Sequence, residues 1–203
     1  NSVSEYGSLV YTYDNRYVLN MSARVDASNR FGQFKNRRFE PTWSVGLKWR
    51  AKEEKPFRNL EWLNMFDVYG SYGYQGNAVA NIAPSLIGTS SYITNWSTYG
   101  FKISRLPNDD LGWEKTKTWN LGIDAAFLNG RVNFNFNYFK KNSDVLGSKA
   151  VPHENGLTSA VFPGVTMENK GYDIVVNVVP IKTKDFTWQL SVNTGKTVNK
   201  VDD

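Results

Sequence analysis

The sequence predicts an all-β protein: an antiparallel transmembrane β-barrel segment of about eight long meander strands. Three observations carry the prediction. Apolar and polar residues alternate strictly through runs of about ten residues, roughly twice the usual globular strand. The polar faces of those runs carry Asn, Ser, Gly and Asp, whereas a solvated sheet face favours Lys, Glu and Thr. The links between runs alternate in length and the long ones fall at one end, as in barrels with short periplasmic turns and longer extracellular loops.

Composition narrows the class. The chain has 203 residues, enough for one β domain, and 15% aromatic residues, which suit pleated surfaces. No stretch approaches the roughly 18 apolar residues of a membrane helix, so a helical membrane protein is excluded. Mean hydropathy of -0.48 does not exclude a barrel, because alternating polar residues hide one. Without Cys there are no disulfides or thiolate metal sites. Net charge is +5, yet Lys and Arg are scattered among strand ends and links with no dense basic stripe, so no nucleic-acid partner is expected.

The first run, Val3 to Tyr13, ends in the tight turn Asp14-Asn15-Arg16. The second sets Tyr17, Leu19, Met21, Ala23 and Val25 against Asn20, Ser22, Arg24 and Asp26. After the polar link 28–38, the third sets Trp43, Val45, Leu47 and Trp49 against Thr42, Ser44, Gly46 and Lys48. Link 51–64 has spacing suited to one short helical turn. The fourth run sets Phe66, Val68, Gly70, Tyr72 and Tyr74 against Asp67, Tyr69, Ser71 and Gln75. A long loop is expected over 77–111.

The fifth and sixth runs show the pattern most clearly. Trp119, Leu121, Ile123, Ala125 and Phe127 share one face, with Thr118, Asn120, Gly122 and Asp124 on the other. Asn129-Gly130 then marks a hairpin, because both residues tolerate positive φ. The return run puts Val132, Phe134, Phe136 and Tyr138 opposite Asn133, Asn135 and Asn137. A second long loop is expected over 143–170. The seventh run carries Tyr172, Ile174, Val176 and Val178 on its apolar face, and the eighth Trp188, Leu190 and Val192.

On this reading Trp43, Trp49, Trp119, Phe134, Phe136, Tyr138 and Trp188 face lipid or form aromatic girdles near the strand ends. Asn120, Asp124, Asn133, Asn135 and Asn137 face the lumen. A soluble carbohydrate-binding or adhesion β-sandwich also alternates apolar and polar residues. A small self-closed eight-stranded outer-membrane barrel is a further alternative.

Several segments, in order, resemble the C-terminal barrel region of the SusC/RagA-type TonB-linked outer-membrane transporters of the Bacteroidetes. They include Tyr13-Asp14-Asn15-Arg16-Tyr17, Arg24-Val25-Asp26-Ala27-Ser28, Arg30-Phe31-Gly32 and Pro41-Thr42-Trp43-Ser44-Val45-Gly46. Trp62-Leu63-Asn64, Ser71-Tyr72-Gly73-Tyr74-Gln75-Gly76-Asn77 and Pro107-Asn108 follow, then Leu111-Gly112-Trp113-Glu114-Lys115-Thr116 and Asn120-Leu121-Gly122-Ile123-Asp124. Asn129-Gly130-Arg131, Tyr138, Lys140-Lys141 and Met167-Glu168-Asn169-Lys170-Gly171 complete the set. Each is weak alone; together they are specific.

The resemblance implies a share of a 22-stranded barrel, with residues 1–203 as a partial barrel domain. On that resemblance, the family's N-terminal plug, TonB-contacting segment and closing strands are expected to have no counterpart within these residues. It further implies a bacterial outer-membrane location, TonB-driven uptake of oligosaccharides or peptides, and a SusD-like lipoprotein partner.

No catalytic site is expected. His153 is the single histidine, so a Ser-His-Asp triad would rest on it alone. Asp109-Asp110, Glu53-Glu54 and Asp202-Asp203 are sequence neighbours in links or at the chain end and read as solvated charges. Gly73-Tyr74-Gln75-Gly76 lacks the Lys-Ser/Thr of a phosphate loop. No metal or cofactor follows from these residues. Ligand contact is the chemistry that remains, since aromatic faces backed by amides suit hydroxyl-rich molecules. Tyr92, Trp96 and Tyr99, with Asn81 and Asn95, are the candidates in the longest loop.

Overall fold

The computed structural model describes residues 2–28, 39–79, 85–108, 112–152, 154 and 157–202. It contains β1 (Ser2–Tyr13), β2 (Tyr17–Ser28), β3 (Phe39–Arg50), β4 (Leu63–Asn77), β5 (Ile87–Ile93), β6 (Thr98–Arg105), β7 (Glu114–Phe127), β8 (Val132–Ala150), β9 (Ser159–Lys182) and β10 (Thr187–Asp202). Eight of these pair in the order β1-β2-β3-β4-β7-β8-β9-β10, each antiparallel to its neighbour. The hairpin β5–β6 forms a separate two-stranded sheet.

The turns follow from residues that accept positive φ. Asp14 and Asn15 sit at φ 49° and 52°, and the Arg16 amide donates to the Tyr13 carbonyl at 3.0 Å. Asn129 and Gly130 adopt φ 56° and 75°, as their types predict, but Leu128 joins them at φ 54°. A branched residue rarely adopts that conformation. Here its amide donates to the Trp62 carbonyl at 2.8 Å, which anchors the turn to the preceding link. That link holds the short helix α1 (Lys55–Arg58), the helical turn that the sequence spacing predicts.

Register turns the alternation into two continuous faces. On the apolar side Leu121 stands opposite Gly70 and Tyr138, Phe136 opposite Ile123 and Ile174, and Phe134 opposite Ala125 and Val176. On the polar side Asp124 stands opposite Asp67 and Asn135, and Asn133 opposite Asn177. Buried apolar residues are few among those described: Val18, Ala51, Leu63, Ala125 and Ala126. Trp119 is 57% exposed and Leu47 62%. A sandwich would cover these side chains with a second sheet; here the main sheet is a single layer. Nor do the eight strands close on themselves, because β1 and β10 lie at opposite edges.

Two expected loops are largely strand. Residues 87–105 form the β5–β6 hairpin. β8 runs on to Ala150 and β9 starts at Ser159, so only 151–158 links them. Asp, Ser, Gly and Pro in 143–170 read as turn signals in sequence. The ladder absorbs them with a register shift at Val145/Leu146 and with Gly164 at φ 120°.

One polar-face interlock couples three strands. Gly122 lies opposite Tyr69, and a Cβ at Gly122 would strike the Tyr69 ring. Lys48 places its Nζ 5.5 Å from that ring's centroid and 3.5 Å from the Asp67 carboxylate. Substituting Gly122→Val should therefore destabilise by about 1–3 kcal/mol, as overpacking does. Adding Tyr69→Ala should recover most of that loss. The check is a double-mutant cycle on equilibrium unfolding of the complete protein, and additive effects would show that the ring and the glycine are not coupled.

Candidate functional site

The polar face is a field of donors and acceptors. Asn120 Nδ2 donates to Ser71 Oγ at 3.2 Å, and Asn133 Nδ2 donates to the Gly130 carbonyl at 2.9 Å. Asn135 Nδ2 donates to the Asp124 carboxylate, while Asn137 stands between Gly122 and Asp173. Ser8, Asn20, Ser44, Ser71, Thr118 and Asn120 help to line a concavity of about 560 Å³. Small hydroxyl and amide groups leave open space there and can each donate and accept. Among the described residues no cluster of His, Cys, Asp and Glu could hold a metal ion.

The apolar face ends in aromatic clusters toward both strand ends. At the long-link end Trp43 and Tyr72 meet edge to face at 5.4 Å, and Tyr72 lies 4.3 Å from Trp119. Tyr138 stands opposite Tyr172. At the short-turn end Trp49 stands opposite Tyr17, and Trp62 stacks on Phe127 at 6.0 Å. Trp188 faces Ile181, which a register shift brings onto the apolar side. Phe134 and Phe136 lie between the two ends.

The structure separates the loop candidates from these faces. Tyr92 and Tyr99 are cross-strand partners in the β5–β6 hairpin, with rings 5.3 Å apart. Asn95 and Trp96 sit in the helical turn at the hairpin tip, and Ser97 closes it at φ 48°. Exposure is 53% at Tyr92, 75% at Tyr99 and 76% at Trp96, so these rings are not packed away beneath the sheet. Asn81 and His153 lie outside the described residues. Phe101, which is not among the loop candidates from the sequence, shares a face with Tyr99 and is 86% exposed. Period-two spacing from Tyr99 would have selected it had the hairpin been recognised.

A charged hub at the short-turn rim also escaped the sequence reading. Arg16, in the β1–β2 turn, places Nη1 2.9 Å from Glu54 in the β3–β4 link. Tyr17 Oη donates to the same carboxylate at 2.7 Å, and Trp49 Nε1 approaches it at 3.5 Å. Lys52 Nζ donates to the carbonyls of Phe57, Arg58 and Leu60, tying the link to itself. Nothing in spacing joins Arg16 to Glu54; only register brings the two links together.

A single antiparallel layer with one uncovered apolar band, aromatic toward both ends, and one polar concave face defines the wall of a transmembrane β-barrel. The chain belongs to the TonB-dependent receptor-like β-barrel family, which it matches over residues 1–202. It is 35% identical over 202 residues to the TonB-dependent receptor SusC of Bacteroides thetaiotaomicron, covering 94% of this chain and 20% of that protein. It is 30% identical to the TonB-dependent receptor P39 of Formosa agariphila, covering 98% of this chain and 19% of the relative. Its fold matches the RagAB peptide transporter with a TM-score of 0.87 and 26% identity, over 98% of this chain and 22% of that one. The chain thus spans about a fifth of the length of the curated relatives it matches.

Hydrogen bonds from Tyr17, then from Trp49 and Arg16, hold the Glu54 carboxyl below the usual carboxylate range. A depressed folded value means that the hub's contribution is present above the unfolded carboxyl pKa of about 4.3. It is lost as pH falls through the lower folded value. Relative to its intrinsic rate at each pH, amide exchange at Arg16 and Arg50 should therefore be slow at neutral pH and speed up only as pH falls below the usual carboxylate range. In Glu54→Ala it should be fast throughout. Identical pH profiles for both proteins would mean that Glu54 does not hold the rim.

Proposed function

We propose that this chain is part of the wall of a TonB-dependent transporter in the bacterial outer membrane, importing oligomeric nutrients, glycans or peptides, with a SusD-like lipoprotein partner. The observation that carries the reading is the two-faced single layer itself. Its apolar band has no protein covering among the described residues, and its polar concave face has room beside it. Family membership and the SusC and RagAB relatives support the transport role.

In this reading Phe134 and Phe136 meet acyl chains, and Trp43, Trp49, Trp119, Tyr138 and Trp188 sit near the two interfaces. Asn120, Asp124, Asn133, Asn135 and Asn137 face the lumen, where amides can satisfy a plug or a passing substrate. Long links lie outside the cell and short turns in the periplasm. The exposed hairpin aromatics then point toward the partner and the incoming ligand. TonB acts through a region of the complete protein outside this segment.

Two measurements test the reading. Phe134→Arg with Phe136→Arg should block outer-membrane assembly of the complete protein, since each charge costs about 2–4 kcal/mol near the bilayer midplane. Normal assembly, followed by heat-modifiable mobility, would mean that this face does not meet lipid. In cells, deleting the gene should abolish uptake of at least one glycan or peptide class, restored by the intact gene. Trp96→Ala with Tyr99→Ala should restore assembly but lower uptake at limiting nutrient about tenfold, the loss of roughly 1.4 kcal/mol expected of one aromatic contact. Uptake unaffected by the deletion would overturn the transport role.

A further inference from the structure

Lysines are distributed unevenly on the apolar side. The outward positions of β1, β2 and β3, read from register, carry no Lys or Arg along their whole described length. Across β7 to β10, by contrast, the outward positions beyond the aromatic residues carry Lys115, Lys117, Lys140, Lys170, Lys196 and Lys200. The pairs are regular: Lys140 stands opposite Trp119 and Lys170, Lys196 opposite Tyr172, and Lys117 opposite Tyr74 and Asn142. Trp119, Tyr138 and Tyr172, the aromatics they border, are 57%, 38% and 39% exposed.

Four carboxylates share this surface: Glu40 of β3 accepts from the outward Tyr74 hydroxyl and lines a hollow with Lys115, and three more lie on β8 to β10. Glu168 lies 2.8 Å from Lys140 Nζ and 3.2 Å from Lys170 Nζ, so one acid holds two cations side by side. Asp202 pairs with Lys200 at 2.9 Å, and Asp144 stands opposite Lys115 in register. Six cations against four anions leave an excess of positive charge. Lys115, Lys117 and Lys196 are exposed and have no ion-pair partner among the described residues. These lysines face away from the lumen and border the lipid band at the long-link end, which is the outer side of the membrane.

We propose that this lysine ladder binds the phosphate-bearing headgroups of outer-leaflet lipids, docking them on the β7–β10 sector of the wall. The inference rests on the outer-membrane reading above. Charge complementarity and continuity with the uncovered apolar band select this occupant. Acyl chains lie along Leu121, Phe136 and Ile174, and the attached headgroup meets the ammonium groups just beyond. Lysine suits the task as a compact point charge that binds phosphate without demanding one geometry. Trp119, Tyr138 and Tyr172 fix the depth of the interface beneath it.

The test uses the complete receptor in phosphatidylcholine nanodiscs doped with a bisphosphorylated glycolipid or with the same lipid dephosphorylated. Bound lipid is counted by native mass spectrometry after release into detergent. The wild type should retain the phosphorylated form over the dephosphorylated one. In Lys117→Gln/Lys170→Gln/Lys196→Gln, apparent affinity should fall by on the order of a hundredfold, at roughly fivefold per lysine near a membrane surface. The corresponding triple arginine variant should keep it. Equal retention of both lipids by the wild type would overturn the proposal without any variant, as would undiminished retention by the glutamine variant. Displacement by inorganic phosphate at matched concentration would indicate a free-anion site and also overturn it. A receptor that fails to insert into nanodiscs at all would instead sink the transporter reading.

Discussion

In hydrocarbon no water is present to satisfy a backbone N–H or C=O, and this constraint organises the whole chain. Each strand must be bonded along its full membrane length to neighbours on both sides. The continuous pairing of β1 through β4 and on through β7 to β10 is the consequence. Irregularities sit mainly toward strand ends or in the outer extension: the shifts at Leu63/Met65, Val145/Leu146 and Trp188/Leu190. Between Phe127 and Trp119, where β7 passes from one aromatic end to the other, its ladder with β8 is continuous. Those nine positions match the roughly 9–11 residues with which a tilted strand crosses a bilayer.

A sheet that satisfies its backbone in this way is free to differ on its two faces. The outward face gains stability from solvent exchange with lipid and needs shape only at the interfaces. The inward face has no lipid, so its polar groups must find each other or water. Asn120 with Ser71, Asn135 with Asp124, and Lys48 with Asp67 are local solutions that span neighbouring strands. Tyr69 over Gly122 and Phe139 over Gly171 are another kind. In each, a missing side chain on one strand admits a ring from the next, so lateral cohesion is added without filling the lumen.

Much of this was legible in sequence, for a definite reason. A period of two is a one-dimensional signal, and the strict runs 17–26, 42–50 and 118–138 announce strands, faces and the Asn129-Gly130 turn without further information. The extent of β8 and β9 beyond Asn142 was not legible, because Pro163 and Gly164 carry turn signals that pairing overrides. The β5–β6 hairpin was hidden for a similar reason: Ser, Thr and Gly dominate it, and its strands are short. Glu54 could not have been found by pattern. Its partners come from a turn 38 residues earlier and from a neighbouring strand, and their meeting is a property of register.

The division between these layers of information has a functional meaning. Strand alternation serves the membrane, which is the same for every member of such a family, and therefore says little about cargo. Under the transporter reading proposed above, selectivity belongs to groups that the membrane does not dictate: the amides of the inner face, and the rings of Tyr92, Trp96, Tyr99 and Phe101 on a hairpin outside the main sheet. That hairpin is inserted between β4 and β7, which pair as though nothing separated them. Its sequence can therefore change without disturbing the ladder. Under the same reading, a wall with a separately inserted hairpin lets one barrel scaffold carry different cargo specificities, because the outward side chains that meet the bilayer are not those offered to the ligand.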